Sequence, residues 1–130
     1  SIDPPFERRV LEITPDGFEK VLNAQGAIEL HRGGAGSIPA HAGHLLTDRA
    51  SWEQHYKHRL QPSASRLEST KAVLEMHQAL PEDQRAPLGL HCGSLFGQIR
   101  DVMGVEGVSY LYADDEELFA EIIEAQAEVC

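Results

Sequence analysis

Residues 87–94 read PLGLHCGS, and this stretch decides the fold that the sequence predicts. Its first part, Pro87 to Cys92, is short, apolar and bounded by proline and glycine, which is typical of a buried strand in a parallel sheet. Residues Leu95 to Met103 follow with the spacing of a helix. Because a parallel strand needs parallel neighbours, the pattern predicts an α/β fold whose other strands come from a second copy or from a larger sheet.

The N-terminal part of the chain has a different pattern. Three strand-like runs, Glu7 to Thr14, Phe18 to Leu22 and Ala27 to Arg32, follow each other closely. The first two are joined by Pro15-Asp16-Gly17, in which each residue type favours a tight turn. Residues 1–36 are therefore predicted to form a short antiparallel β meander followed by a Gly-rich loop.

Helices are predicted in the middle and at the end of the chain. One begins near Thr47 or Asp48, and either side chain can serve as its N-cap. A second runs from Ser65, with Ser63 as an alternative cap, to Leu80. The last begins at Asp114, and its acidic first turn suits the positive end of the helix dipole.

These elements predict one domain over residues 1–130. It consists of the meander and Gly-rich loop (1–36), a helical segment (37–86) and the strand with its helices (87–130). A length of 130 residues is that of one ordinary domain, and a hydrophobic content of 42% permits a core.

The charge and the cysteine content narrow the function classes. A net charge of −10 argues against binding to nucleic acid or to an anionic membrane surface. Two cysteines make no disulfide framework, so we expect a cytoplasmic protein. No apolar run approaches the roughly 18 residues that span a bilayer.

Stretches in both halves of the sequence resemble the uroporphyrinogen decarboxylase superfamily. In the second half, residues 87–97 (PLGLHCGSLFG), 104–107 (GVEG) and 110–119 (YLYADDEELF) resemble its pattern of a barrel strand, a small-residue turn and a helix. In the first half, four stretches resemble the antiparallel insertion of the decarboxylase-like branch, which groups with corrinoid methyltransferases. They are residues 10–12 (VLE), 23–26 (NAQG), 36–39 (GSIP) and 48–53 (DRASWE).

The resemblance implies a partial (β/α)8 TIM-barrel-like segment, because a whole barrel usually takes about 250 residues. It implies a parent enzyme that decarboxylates a tetrapyrrole or transfers a methyl group to or from a corrinoid. The family's Arg-rich substrate motif, its pyrrole-binding Asp and the His-x-Cys metal motif of the methyltransferases have no counterpart here. The position of an aromatic that lines the family's cleft falls near Asp101, and Glu116 stands where proline is usual. We therefore expect the chain to be inactive alone and assign no cofactor.

Four residues are expected to line the parental ligand site, namely His91, Cys92, Ser94 and Phe96. His91 and Cys92 end the predicted strand, and that end of a barrel strand faces the active site. Adjacent strand residues point to opposite faces, so the pair is not expected to share a metal. A packed cysteine with a hydrogen-bonded histidine is the alternative interpretation. Gly93-Ser94 could present backbone N–H groups to an anion at a helix start, but a simple strand-to-helix turn is the favoured interpretation.

Other motifs lead to weaker hypotheses. His41 and His44, like His55 and His58, have the spacing of two ligands on one helical face, but neither pair has the His-Glu-x-x-His pattern of a zincin. No metal site is predicted. Because the predicted buried strand lacks partners, the alternative function is a non-catalytic oligomerisation or binding module, and a homo-oligomer is expected.

Overall fold

The computed structural model describes residues 2–32, 40–89 and 93–130. In this part of the chain a four-stranded antiparallel sheet is followed by helices, so the fold is mixed α/β. The chain forms two compact units. The larger unit comprises residues 1–61 and 93–130, and the smaller unit comprises residues 62–92.

The sheet has the strand order β1-β2-β3-β4 and opens the larger unit. Strands β1 (Arg9–Ile13), β2 (Phe18–Leu22) and β3 (Ala27–Arg32) confirm the predicted meander. Strand β4 (Ala40–His44) pairs with β3, although residues 37–86 were predicted to be a helical segment. Its Ala, Gly and His residues lack the β-branched side chains that mark strands.

The β2–β3 turn is fixed by one side chain and one glycine. The Asn23 side-chain oxygen accepts hydrogen bonds from the backbone N–H groups of Gln25 (2.9 Å) and Ala27 (3.0 Å). Gly26 has φ +89°, and a Cβ at this position would collide with the Tyr56 hydroxyl. That hydroxyl donates a hydrogen bond to the Gln25 carbonyl at 3.1 Å. Only glycine satisfies both the backbone conformation and the close approach.

The predicted helix near Asp48 begins there but changes type within one turn. Asp48 caps α1 (Arg49–Ser51) by accepting a hydrogen bond from the Ser51 backbone N–H at 2.8 Å. A π-helix (Trp52–Tyr56) and a 3-10 turn (Lys57–Arg59) continue it. The π-helix buries both of its end residues, so Trp52 and Tyr56 reach the same core.

Helices α3 (Leu95–Asp114) and α4 (Glu116–Glu128) complete the larger unit. The helix predicted over Leu95 to Met103 is present, but it continues past Gly104, where φ is +73° and the helix kinks. Asp115 rather than Asp114 caps α4, because its side chain accepts a hydrogen bond from the Leu118 backbone N–H at 2.9 Å.

The core of the larger unit joins the π-helix, α3, α4 and the segment after β4. Its most enclosed members are fully buried aromatic and aliphatic side chains. The buried cluster consists of Leu46, Trp52, Tyr56, Leu60, Ile99, Met103, Val108, Leu111, Leu118 and Ile122. Burial of this apolar surface is the main force that stabilises the unit.

The smaller unit has a helix without a core. Helix α2 (Ala64–Ala79) begins after Ser63, the alternative cap, and a 3-10 turn (Glu82–Gln84) follows it. None of the α2 side chains that the structure describes is buried. Residues 87–89 are exposed and form no strand, so the predicted buried strand is wrong for these residues. Pro87 has no backbone N–H to donate to a neighbouring strand, and Gly89 has a low strand propensity. The remainder of that prediction, residues 90–92, lies outside the described residues.

Among the described helices, none combines the length and the apolar character that crossing a membrane requires.

Candidate functional site

The four predicted site residues divide into two groups. His91 and Cys92 lie outside the described residues. Ser94 is the N-cap of α3, and its hydroxyl accepts a hydrogen bond from the Gly97 backbone N–H at 3.0 Å. Phe96, in the first turn of α3, is 55% exposed. The hydroxyl of Ser94 therefore has a structural role as a cap, while the ring of Phe96 is free to contact a ligand.

The structure brings a different set of polar residues together in the larger unit. A depression of about 370 Å³, named here the polar cleft, lies where the β2–β3 turn, β3, β4 and α3 meet. Its lining is mainly carboxylate, amide and imidazole groups, which favour a small ligand that is positively charged or donates hydrogen bonds. The lining residues are Asn23, Ala24, Gln25, Glu29, His41 and Asp101.

Glu29 is the best-held side chain of the polar cleft. One carboxylate oxygen accepts from the Asn23 amide at 2.7 Å, and the other contacts His31 Nε2 at 2.9 Å. Burial alone raises the pKa of Glu29, but the hydrogen bonds from Asn23 and His31 outweigh it, and positive charge on His31 and His41 adds to them. The net pKa is lowered, so Glu29 holds a fixed negative charge in the cleft near neutral pH.

Beside the cleft, two histidines of β4 lie face to face. The rings of His41 and His44 are stacked, with centroids 5.5 Å apart and planes at 26°. His41 lines the polar cleft, whereas His44 Nε2 is buried and has no hydrogen-bond partner among the described residues. Burial, and then the charge of His41, lower the pKa of His44.

A second depression of about 290 Å³ lies between the start of α1 and the junction of α3 and α4. Its only cation among the lining residues, Arg49, is already engaged. The guanidinium contacts Asp115 at 3.5 Å and Glu121 at 3.0 Å. Because these carboxylates already accept from the N–H donors of Arg49, the guanidinium is not available to bind an anionic ligand in this depression.

Glu121 is the most connected carboxylate of the larger unit. It accepts hydrogen bonds from Lys57 Nζ (2.7 Å), Trp52 Nε1 (3.0 Å) and Arg49 (3.0 Å). The bonds from Lys57, Trp52 and Arg49 lower its pKa to about 2. Since all three donors come from residues 49–57, Glu121 fixes α4 to that segment, and its role is structural.

Metal binding finds no support in the parts of the chain that the structure describes. No group of three or more His, Cys, Asp or Glu residues there is placed to hold a metal ion. The other histidine pair is interrupted by a change of helix type, because His55 lies in the π-helix and His58 in the 3-10 turn. His55 is half-buried and His58 is exposed.

The polar cleft was not predicted from the sequence. Glu29 and His31 lie in the predicted strand Ala27 to Arg32, and Asn23 lies just before it, but no site was predicted from these residues. The spacing of Glu29 and His31 is a signal, since residues two apart in a strand share a face. The contribution of Asp101 has no sequence signal, because it depends on how α3 packs on the sheet.

Comparisons of the chain with protein-family models, with curated proteins and with solved structures found no match.

Proposed function

We propose that this chain is part of a uroporphyrinogen decarboxylase-like enzyme and is inactive alone. In the intact parent, the activity is decarboxylation of a tetrapyrrole or methyl transfer to or from a corrinoid. Residues 87–97, 104–107 and 110–119 carry the sequence resemblance. The structural observation that supports it best is the amount of apolar surface left uncovered in both units, which the rest of a (β/α)8 barrel would cover.

The uncovered apolar surface includes several side chains on β1 and several on α2. On β1, Val10, Leu11 and Ile13 are all exposed, the last at 67%. On α2, Leu67, Val73, Leu74 and Met76 are exposed. Single exposed apolar residues are normal, but contiguous ones mark surfaces that contact another body. In the proposed parent, that body is the remainder of the same enzyme.

The ligand contacts are assigned to His91, Cys92, Ser94 and Phe96. Phe96 carries most of the expected binding, because an exposed aromatic ring stacks on a flat macrocycle. Ser94 positions the first turn of α3 through its cap. The chain would thus contribute one wall of a ligand site and lack the groups that complete the reaction.

Fluorescence titration with coproporphyrin and absorbance titration with hydroxocobalamin test the proposal. We expect saturable binding of one of them in the high micromolar range, weakened several-fold by Phe96→Ser. Tyr110→Ser is the matched control, since Tyr110 is also an exposed aromatic on α3. Absence of saturable binding to both compounds, or equal losses in the two variants, would reject this ligand function.

The second candidate is a non-catalytic oligomerisation module, and β1 favours it. β1 is an edge strand of the sheet, and all five of its residues are exposed. An edge strand with apolar side chains is a template for pairing with another chain. This function predicts a defined dimer or larger oligomer by light scattering after size exclusion. Ile13→Lys should shift it towards the monomer, whereas Met76→Lys on α2 should not. A wild-type chain that stays monomeric at every concentration excludes this candidate.

A further inference from the structure

The contact between β4 and α3 is built around a histidine ring and a glycine. His44 ends β4, opposite Ala27 in the register of the sheet. Its ring lies against Gly104, and a Cβ on Gly104 would lie 2.9 Å from His44 Cε1 and 3.5 Å from Nε2. Gly104 is also the residue at which α3 kinks, with φ +73°. The kink and the absence of a side chain together make room for the imidazole.

In the described part of the chain, the imidazole of His44 lacks the hydrogen-bond acceptor that a protonated, buried ring would need at Nε2. Its Nε2 is buried and has no hydrogen-bond partner among the described residues. A neutral ring leaves a lone pair buried at this atom, which is a modest cost. A protonated ring would bury an N–H donor and a positive charge without an acceptor, which is a much larger cost. The position therefore selects the neutral ring.

The charged groups around this contact come from three elements. On β4, His41 stacks on His44 at 5.5 Å. On β3, Glu29 and His31 bind each other, and Asn23 occupies the other oxygen of Glu29. On α3, the carboxylate of Asp101 forms an ion pair with the guanidinium of Arg100, with an N–O distance of 2.9 Å. Both carboxylates line the polar cleft beside His41, and neither accepts a hydrogen bond from Nε2 of His44. Positive charge is thus opposed at His44.

We infer that His44 and His41 form a pH-sensitive latch between β4 and the kink of α3, closed when His44 is neutral and released when acid protonates it. On release, the His44 ring leaves Gly104 for solvent. Because Leu46 and Met103 are buried in the core on either side of this contact, the ends of β4 and of the first half of α3 loosen together.

The direction of the pH effect follows from linkage. Burial and the neighbouring His41 lower the pKa of His44 below its ordinary value of 6.5. The unfolded chain then binds the proton more readily than the folded chain. The stability that neutral His44 confers is complete above about pH 6.5 and is lost as the pH falls from there towards the lower pKa of the folded state.

Two measurements on the full chain test the latch. Histidine Cε1–H resonances followed by NMR should show one ring, assigned to His44 by its absence in His44→Phe, that titrates below the ordinary range. Amide exchange over residues 40–46 and 99–104 should accelerate in step with it. In thermal unfolding between about pH 7.5 and pH 5, His44→Phe should lose less stability than wild type, by on the order of 4 °C. His58→Gln, on an exposed histidine, should behave as wild type.

A further variant keeps the test decisive if His44→Phe does not fold. His41→Gln removes the neighbouring charge and should move the His44 titration up towards its ordinary range. The latch is overturned if the His44 ring titrates in the ordinary range in wild type, or if its titration leaves the amide exchange of β4 and α3 unchanged.

Discussion

The two units of the chain differ in what holds them together. In the larger unit, the π-helix, α3, α4 and the segment after β4 share a core in which Trp52 and Tyr56 are fully buried. In the smaller unit, α2 (Ala64–Ala79) has no buried side chain among those described. A helix of this length that buries none of its described side chains is marginal in water. The difference teaches that α2 depends on local helix propensity, whereas the larger unit is stabilised by burial of side chains in a shared core.

The largest expected effect that tests this comparison comes from shortening one aliphatic side chain to alanine in each unit. Ile122→Ala, at a position 1% exposed on α4, should lower the free energy of unfolding by about 3 kcal/mol. Leu74→Ala on α2, where the leucine is 42% exposed, should change it by less than about 0.5 kcal/mol. Urea unfolding followed by Trp52 fluorescence measures the effect of Ile122→Ala, and amide exchange within residues 64–79 measures the effect of Leu74→Ala. Similar losses in the two variants would show that α2 is covered in solution.

A smaller contrast is expected between two glycines. Gly26→Ala places a Cβ at φ +89° and against Tyr56, so it should cost about 2 kcal/mol. Gly89→Ala in the smaller unit meets nothing within 4 Å and should stay within about 0.5 kcal/mol of wild type.

Gly17→Ala separates the two causes, because Gly17 has φ +80° but open space around it. It should cost about 1 kcal/mol, through backbone strain alone. Thermal unfolding of the three glycine variants measures their order of stability. If Gly26→Ala and Gly17→Ala were equally destabilised, the close approach of Tyr56 would carry no energy.

Charge gives the third contrast. Glu121→Gln removes a carboxylate that accepts from Lys57, Trp52 and Arg49, and it should cost about 1 kcal/mol near neutral pH after allowance for solvent screening. Because the pKa of Glu121 is lowered from 4.5 to about 2, the carboxylate's contribution is complete above pH 4.5 and is lost as the pH falls towards 2. The variant should therefore approach wild type in acid.

Unfolding measured from pH 7 downwards tests this dependence, with Glu75→Gln on the exposed surface of α2 as control. The control should follow wild type throughout. A constant difference between Glu121→Gln and wild type at every pH would mean that the lost packing, and not the charge, explains the effect.

Sequence patterns predicted the elements whose signals are local. The three strands of the meander are confirmed because alternation and turn residues such as Gly17 act within a few residues. β4 was missed, since Ala40 to His44 forms a strand only through pairing with β3. The buried strand fails over residues 87–89, because an apolar run next to Pro87 looks the same whether or not a partner strand exists. The barrel-like segment stays a proposal.

The candidate site depended even more on tertiary contacts. Ser94 was expected at a ligand site, but in the structure its hydroxyl caps α3 by accepting a hydrogen bond from the Gly97 backbone N–H. The polar cleft joins Glu29 on β3 with Asp101 on α3, residues 72 positions apart by number (101 − 29). No periodicity connects them, because the kink at Gly104 and the missed strand β4 both contribute to the position of α3 against the sheet.

The smallest expected effect tests whether the stability of helix α2 comes from local helix propensity alone. Ala72→Gly at an exposed position of α2 should weaken the helix by about 1 kcal/mol, because glycine fixes more backbone entropy than alanine. Amide exchange within residues 64–79 should then be about five-fold faster, since 1 kcal/mol corresponds to a factor of about five. The midpoint of Trp52 unfolding should not move, because the core of the larger unit contains no residue of α2. A shift of that midpoint together with faster exchange would mean that α2 unfolds cooperatively with the core, and the contrast between the two units would then describe packing but not stability.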